Sequence, residues 1–384
     1  MLRRKDGTTV IREKKNNQKN NKKKLSFSTI IKGIVGVFLV AIIATVLFVF
    51  SIRGILYLSN HITTPNGVDE SIYVSLGGQE QYLLIRGEDV NNPVIIWLHG
   101  GPSGPDAFMN YRFQKYLVGK YTFVNWDQRG CGRTYFRNSK IDPNNQTATF
   151  EQALVDLDEL VNYVLDRFDK EKVILVGHSY GTALGSRYTL SHPDKVAAYV
   201  GIGQAVAISE SETYSYEDAL EKAKAQGDDT TDMEAAYRAF SENMTLPTLI
   251  HLREYTLPYH PVENEANTIW QGVISPYMWL NDVRWFFKQV SSLEKYTALN
   301  QQLFDFTVAA DVRDYGLEYQ VPVGFISGSE DWITPVKYTE DYYNMISAPK
   351  KDFVLIDGLG HAPNYDSPEA FCRELDTMLD ELLK

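Results

Sequence analysis

The sequence predicts an α/β protein: a mostly parallel sheet with helices on both faces, an inserted helical cap, and one transmembrane helix ahead of it. Three observations carry that prediction. From residue 71 onward, short apolar runs of strand length alternate with stretches of helical periodicity. Between residues 207 and 318 the alternation stops and no strand-like run occurs. Ahead of both lies "GIVGVFLVAIIATVLFVFSI", residues 33 to 52, twenty residues without a charge.

In chain order, residues 1–32 form a basic tail. It holds eleven Lys/Arg against Asp6 and Glu13, so the tail carries +9 and the rest of the 384-residue chain −20. The twenty-residue run that follows makes a helix about 30 Å long, the thickness of a bilayer's hydrocarbon core. A secretory signal is the nearest rival. The basic region is too long for one, the apolar run exceeds the usual length, and no A-x-A site follows. Residues 33–52 therefore read as an uncleaved anchor and 53–70 as a polar linker. The Lys/Arg excess keeps the N-terminus cytoplasmic and puts the acidic body outside the cell membrane, a single-pass arrangement. The Lys/Asn-rich tail reads as a disordered topogenic segment rather than a binder of lipid or RNA. An acidic body excludes nucleic acid as the main partner.

Eight strands are expected, at 71–76, 82–86, 94–99, 121–126, 172–177, 197–203, 323–327 and 352–357. The "GGQEQ" turn makes the first two a hairpin. Helices are expected at 108–119, 150–169, 180–192, 335–347 and 367–383. Residues 71–206 and 319–384 form the core. The segment 207–318 is too long for a loop and becomes a helical cap over the sheet's C-terminal edge. Apolar content of 44% and charged content of 23% are those of a globular protein. Two cysteines, Cys131 and Cys372, exclude a disulfide scaffold, and no Cys/His group has zinc spacing. Neither metal nor cofactor is expected.

Chemistry enters at "KVILVGHSYGTALG". An apolar strand ends at Gly177, one hydroxyl follows at Ser179, and a helix of small residues begins. Gly177 and Gly181 leave room for a sharp turn that presents a nucleophile. A nucleophilic serine needs a base, an orienting carboxylate and oxyanion donors. "GFISGSEDWITP" places Asp331 just past a strand, with Glu330 as its competitor. "FVLIDGLGHAPN" places His361 on a loop after the next strand. The order Ser179, Asp331, His361 is that of a serine–acid–histidine set in which the histidine takes the serine proton. "IIWLHGGPSGPD" leaves an N–H near Gly101 free to join that of Tyr180 as oxyanion donors. "VNWDQRGCGRT" adds a Gly-rich turn in which Asp127 and Arg129 are expected to pair. His99 and His178 read as structural, and Cys131 as a packing residue.

Together "HGGP", "WDQRGCGRT", "GHSYG", "GSEDWITP" and "GLGH" resemble the α/β-hydrolase fold, and more narrowly the prolyl iminopeptidase-like serine peptidases. The resemblance covers residues 70 to 384 and leaves the anchor outside. It implies that Ser179, Asp331 and His361 are the triad and that Gly101 and Tyr180 form the oxyanion hole. Ser103, His178, Tyr180 and Thr134 depart from the family pattern, which puts the substrate in question. In such peptidases cap acids hold the substrate's amino end. The candidates here are Glu210, Glu212, Glu217 and Glu254. The expected activity is release of N-terminal residues from short peptides. The alternatives are cleavage of small acyl esters or amides, or a membrane-anchored binding protein without turnover. Serine rather than aspartate at the elbow disfavours epoxide or haloalkane hydrolysis.

Overall fold

The computed structural model describes residues 27–261 and 265–384, so most of the basic tail, residues 1–26, lies outside the described residues. These residues fall into two units that divide between Ser51 and Ile52. The first is the N-terminal part of a single helix, Phe27–Asn60. Within it Ile31–Asn60 is long and apolar enough to be a candidate membrane span, and among the described residues none of its most apolar window is buried.

The linker expected at 53–70 is helical up to Asn60. Two local contacts explain the extension. The Asn60 side-chain amide donates to the Leu56 carbonyl one turn back, and Leu56 packs against Tyr82, Leu84, Tyr111 and Tyr277 of the body. A segment that looks polar in sequence thus has one apolar face with a partner.

The body carries eight strands: β1 (Val68–Leu76), β2 (Gln79–Gly87), β3 (Val94–Leu98), β4 (Thr122–Asp127), β5 (Val173–His178), β6 (Val196–Ile202), β7 (Val323–Gly328) and β8 (Lys351–Ile356). They form one sheet in the order β1-β2-β4-β3-β5-β6-β7-β8. The hairpin β1–β2 is antiparallel and β2 lies antiparallel on β4, whereas every pair from β4 through β3 to β8 is parallel. Strands β3 to β7 are buried at nearly every position, as their continuous Val/Ile/Phe runs require of a sheet covered on both faces.

One face is covered by helices Phe150–Phe168 and Tyr180–Ser191, the other by Pro368–Leu383. The helix expected at 108–119 shrinks to Tyr111–Gln114 flanked by turns. Residues 207–318 are helical from Ile208–Gln226 to Gln301–Ala309, and Ala207 and Asp311 meet in an isolated bridge where the segment leaves and rejoins the core. Tyr216, Ala219, Met233, Phe240, Leu249 and Val308 make a core of their own there.

The expected Asp127–Arg129 pair does not form. Asp127 instead accepts the backbone N–H of Arg133 at 2.9 Å, in the first turn of helix Gly132–Asn138. That position suits a carboxylate, because the first N–H groups of a helix lack internal partners. Arg129 turns the other way. It grips both oxygens of Asp156 at 2.7 and 2.8 Å and donates to the Gly77 carbonyl of the first hairpin at 2.7 Å.

Candidate active site

The apolar run of β5 ends on a residue forced out of the regular conformations. Ser179 has φ 53° and ψ −123°, and its N–H still donates to the Ile202 carbonyl of β6 at 3.0 Å. Both elbow glycines are required by contact. A Cβ on Gly177 would sit 2.6 Å from the Gly181 carbonyl oxygen, and one on Gly181 would sit 2.1 Å from the Leu98 carbonyl oxygen. Thr182 clamps the turn, its N–H and hydroxyl both donating to the Ser179 carbonyl at 2.8 and 2.6 Å. The hydroxyl of Ser179 is thereby held at the half-exposed tip of a rigid bend.

The loops after β7 and β8 are fastened to each other. Gly328 at the end of β7 would place a Cβ 2.1 Å from the Leu359 carbonyl oxygen, and the Glu330 N–H donates to that same oxygen at 2.9 Å. This close packing brings Asp331 and His361 together, with Nδ1 2.9 Å from Oδ2. Asp331 is only 4% exposed and saturated with donors. The N–H groups of Ile333 and Thr334 reach Oδ1 at 2.9 and 2.8 Å, and the Thr334 hydroxyl reaches Oδ2 at 2.6 Å. Burial pushes its pKa up, but the His361 imidazole and these hydrogen bonds outweigh burial and hold it below the ordinary carboxylate value. A carboxylate at Nδ1 fixes the imidazole proton on that nitrogen and makes Nε2 the basic one. Glu330 is exposed.

The third loop completes the cleft. A Cβ on Gly100 would lie 3.0 Å from Ser179 Cβ, so the His99–Pro102 segment runs directly against the elbow. Gly101 has φ +119°, and a side chain there would meet the N atoms of Ser103 and Gly104 at 2.7 and 2.6 Å. Tyr180 is the first residue of helix Tyr180–Ser191, so its N–H is one of those with no acceptor inside the helix. His99 ties two motif loops together. Its Nδ1 lies 2.8 Å from the Gly100 carbonyl and its Nε2 accepts the Gln128 N–H at 3.2 Å. Cys131 is fully buried, and burial raises its pKa well above the usual thiol range.

Ser179, His361, Gly100, Gly101 and His178 line one cavity of about 310 Å³, together with Asp106 and Tyr365. The four cap acids stand elsewhere. Glu210 pairs with Arg313 at 2.6 Å, buried Glu212 pairs with Arg253, Glu254 pairs with His251 at 3.1 Å, and Glu217 is exposed. Sequence reading missed Asp106. Its carboxylate accepts from Trp97 Nε1 at 2.9 Å, Tyr365 Oη at 3.0 Å and Asn110 Nδ2 at 3.0 Å. The only available signal was its place seven residues after His99. Among the described residues no group of His, Cys, Asp or Glu is set to hold a metal ion.

The chain as a whole has relatives. A family model described as the alpha/beta hydrolase fold matches residues 93–368. The chain belongs to the alpha/beta hydrolase family. A probable aminopeptidase from Bacillus subtilis is 27% identical to this hydrolase over 316 residues, covering 79% of this chain and 93% of that protein. A proline iminopeptidase from Saccharolobus solfataricus is 33% identical over 139 residues, 35% of this chain and 42% of that one. The solved structure of a proline iminopeptidase-related protein from Thermus thermophilus matches the hydrolase with a TM-score of 0.57 at 20% identity. It covers 82% of this chain and 99% of its own, a likeness in fold.

His178 supplies a test of stability. Its Nε2 donates to the His361 carbonyl at 2.9 Å, and burial, aided by the neighbouring His361, pushes its pKa down to about 4. The unfolded chain takes up this proton near pH 6.5 and the folded one does not until about pH 4. The stability difference is therefore fully present above pH 6.5 and lost as pH falls between those values. Urea unfolding at pH 7 and pH 5 should show wild type losing about 2 kcal/mol more than His178→Gln. Equal losses would mean that His178 titrates normally in the folded state.

Proposed function

We propose that the hydrolase is a membrane-anchored serine aminopeptidase of prolyl iminopeptidase type, acting on the N-terminal residue of short peptides. The observation that carries the chemistry is the 2.9 Å contact of His361 Nδ1 with a buried Asp331, in a cleft shared with the elbow serine. In this reading Ser179 Oγ attacks the scissile carbonyl while His361 Nε2 takes its proton. The developing oxyanion accepts from the N–H groups of Tyr180 and Gly101. His361 then returns the proton to the leaving amine, and water repeats the sequence on the acyl-enzyme.

Supporting the peptidase reading are the aminopeptidase and iminopeptidase names among the relatives and one acid in the cleft. Among the described side chains lining the cavity with Ser179, Asp106 alone is a carboxylate. It has three donors already, which hold it in place and leave lone-pair capacity toward a substrate ammonium. The cap glutamates remain alternatives for a substrate long enough to reach them. The N-terminal helix, with Lys/Arg ahead of it, anchors the chain with its N-terminus cytoplasmic and the catalytic body outside.

The test compares aminoacyl amides, the prolyl one included, with the same compounds N-acetylated and with short acyl esters. Asp106→Asn should lower kcat/KM on the free-amino substrates by roughly 10- to 100-fold, the worth of one charge-assisted hydrogen bond, mostly through KM. The blocked amides and esters should lose little. Equal losses on all three panels would make Asp106 a brace rather than a recognition group. Turnover of esters alone would demote the peptidase reading.

A further inference from the structure

The apolar side chains that the helical segment leaves in solvent are not scattered. Helix Leu280–Ser291 has an inner face on the body: Asp282 pairs with buried Arg133 at 2.6 Å, and Trp285, 2% exposed, donates from Nε1 to the Ser103 carbonyl at 3.1 Å. Its outer face is just as apolar. Leu280, Phe287 and Val290 repeat at helical spacing and are 71%, 60% and 60% exposed, with Trp279 at the helix start 66% exposed. Helix Glu265–Ile274, just ahead, exposes Ile269, Trp270 and Val273. Soluble surfaces show single exposed hydrophobics, and a helix apolar on its solvent side marks a face with a partner.

The partner is indicated by where this face begins. The Arg53 guanidinium donates to the carbonyl of Met278, the residue directly before Trp279. Arg53 is also the second residue of the body's unit, next to the point where the chain passes into the N-terminal helix. The candidate span Ile31–Asn60 has 30 residues. At 1.5 Å per residue that is about 45 Å, against about 30 Å of hydrocarbon. Counted from Ile31, the hydrocarbon ends near residue 50, which puts Arg53 and the attached Met278–Trp279 at headgroup depth. A tryptophan at that depth beside an apolar helix face is an interfacial pattern. The charges on helix Leu280–Ser291 that are not buried, Arg284 and Lys288, are both cationic and suit anionic headgroups.

We infer that the outer face of Leu280–Ser291, with Trp270 and its neighbours, beds into the interfacial layer of the same bilayer that holds the N-terminal helix. The inference rests on the anchoring reading above. It makes the cap a second membrane contact.

The test uses the full chain in liposomes of mixed zwitterionic and anionic lipid. Both native cysteines are buried, so a nitroxide label goes to an introduced cysteine. Phe38→Cys reports the span, Phe287→Cys the cap face, and Leu355→Cys, 49% exposed on β8 at the far edge of the sheet, reports solvent. Collision with oxygen is compared with collision with a water-soluble nickel complex. The expected result is that labels at 38 and 287 both lose nickel contact relative to 355. A label at 287 that behaves like 355, with 38 in lipid, overturns the bedded cap and leaves the anchor standing. Labels at 38 and 287 both in water would remove the anchor and this inference together. A 287 label shielded from both reagents and coupled magnetically to its like in a neighbouring molecule would assign the face to a second copy, which also overturns it.

Discussion

Ser179→Ala is expected to lower kcat on any cleaved substrate by about 10⁶, to the background set by the oxyanion donors and binding alone. The size follows from what is removed. With Ser179 gone, His361 has no oxygen to deprotonate, and no other nucleophile stands ready in the described cleft. Cys131 is fully buried with its thiol held protonated, and is no substitute. Stability should stay within about 0.5 kcal/mol, because the turn is held by Gly177, Gly181 and the Thr182 clamp rather than by the hydroxyl. Steady-state and single-turnover kinetics on the amide and ester panels, with urea unfolding as the control, measure both halves. A folded Ser179→Ala protein with kcat within tenfold of wild type would place the nucleophile elsewhere.

Asp331→Asn carries the second-largest expected effect, about 10⁴ in kcat with little change in KM. Asp331 Oδ1 accepts two backbone N–H groups, and Oδ2 accepts the Thr334 hydroxyl and His361 Nδ1. In an asparagine the backbone donors keep the carbonyl oxygen at the Oδ1 position, so the amide N–H₂ must face the imidazole. The histidine then accepts at Nδ1 and carries its proton on Nε2, where the serine proton has to go. Geometry survives and the tautomer is wrong. Glu330→Gln is the matching control; an exposed side chain should change kcat by less than about twofold. An inactive Glu330→Gln beside a near-normal Asp331→Asn would reverse the assignment of the carboxylate.

Much of the α/β architecture was legible because its signals are local. The eight strand-length apolar runs all fall on strands, and for β3 to β7 the reason is that a strand buried on both faces must be apolar along its length. The elbow was legible for a similar reason. Gly-x-Ser-x-Gly after a strand is a statement about backbone collisions, and those collisions appear at Gly177 and Gly181. Side-chain partnerships were less legible. Arg129 was expected beside Asp127 because the two are close in sequence, but β4 ends at Asp127 and the turn that follows carries Arg129 away, so that Arg129 meets Asp156 and Asp127 meets the helix start at Arg133. The helical turns at 53–60 were missed because their apolar partner, Leu56's cluster, comes from residues more than twenty positions away.

Sequence alone therefore settled the sharp turn at Ser179, where the apolar segments lie, and which residue types stand at the ends of the central strands. These follow from steric and hydrophobic constraints acting over a few residues. Folding in three dimensions decided which charges meet. It tied Glu210 and Glu212 to arginines, put Asp106 in the cleft with Ser179, and left the outer face of Leu280–Ser291 bare beside the Arg53 contact. Long-range pairing of this kind depends on loop paths and on the packing of residues far apart in the chain, and no local pattern encodes it.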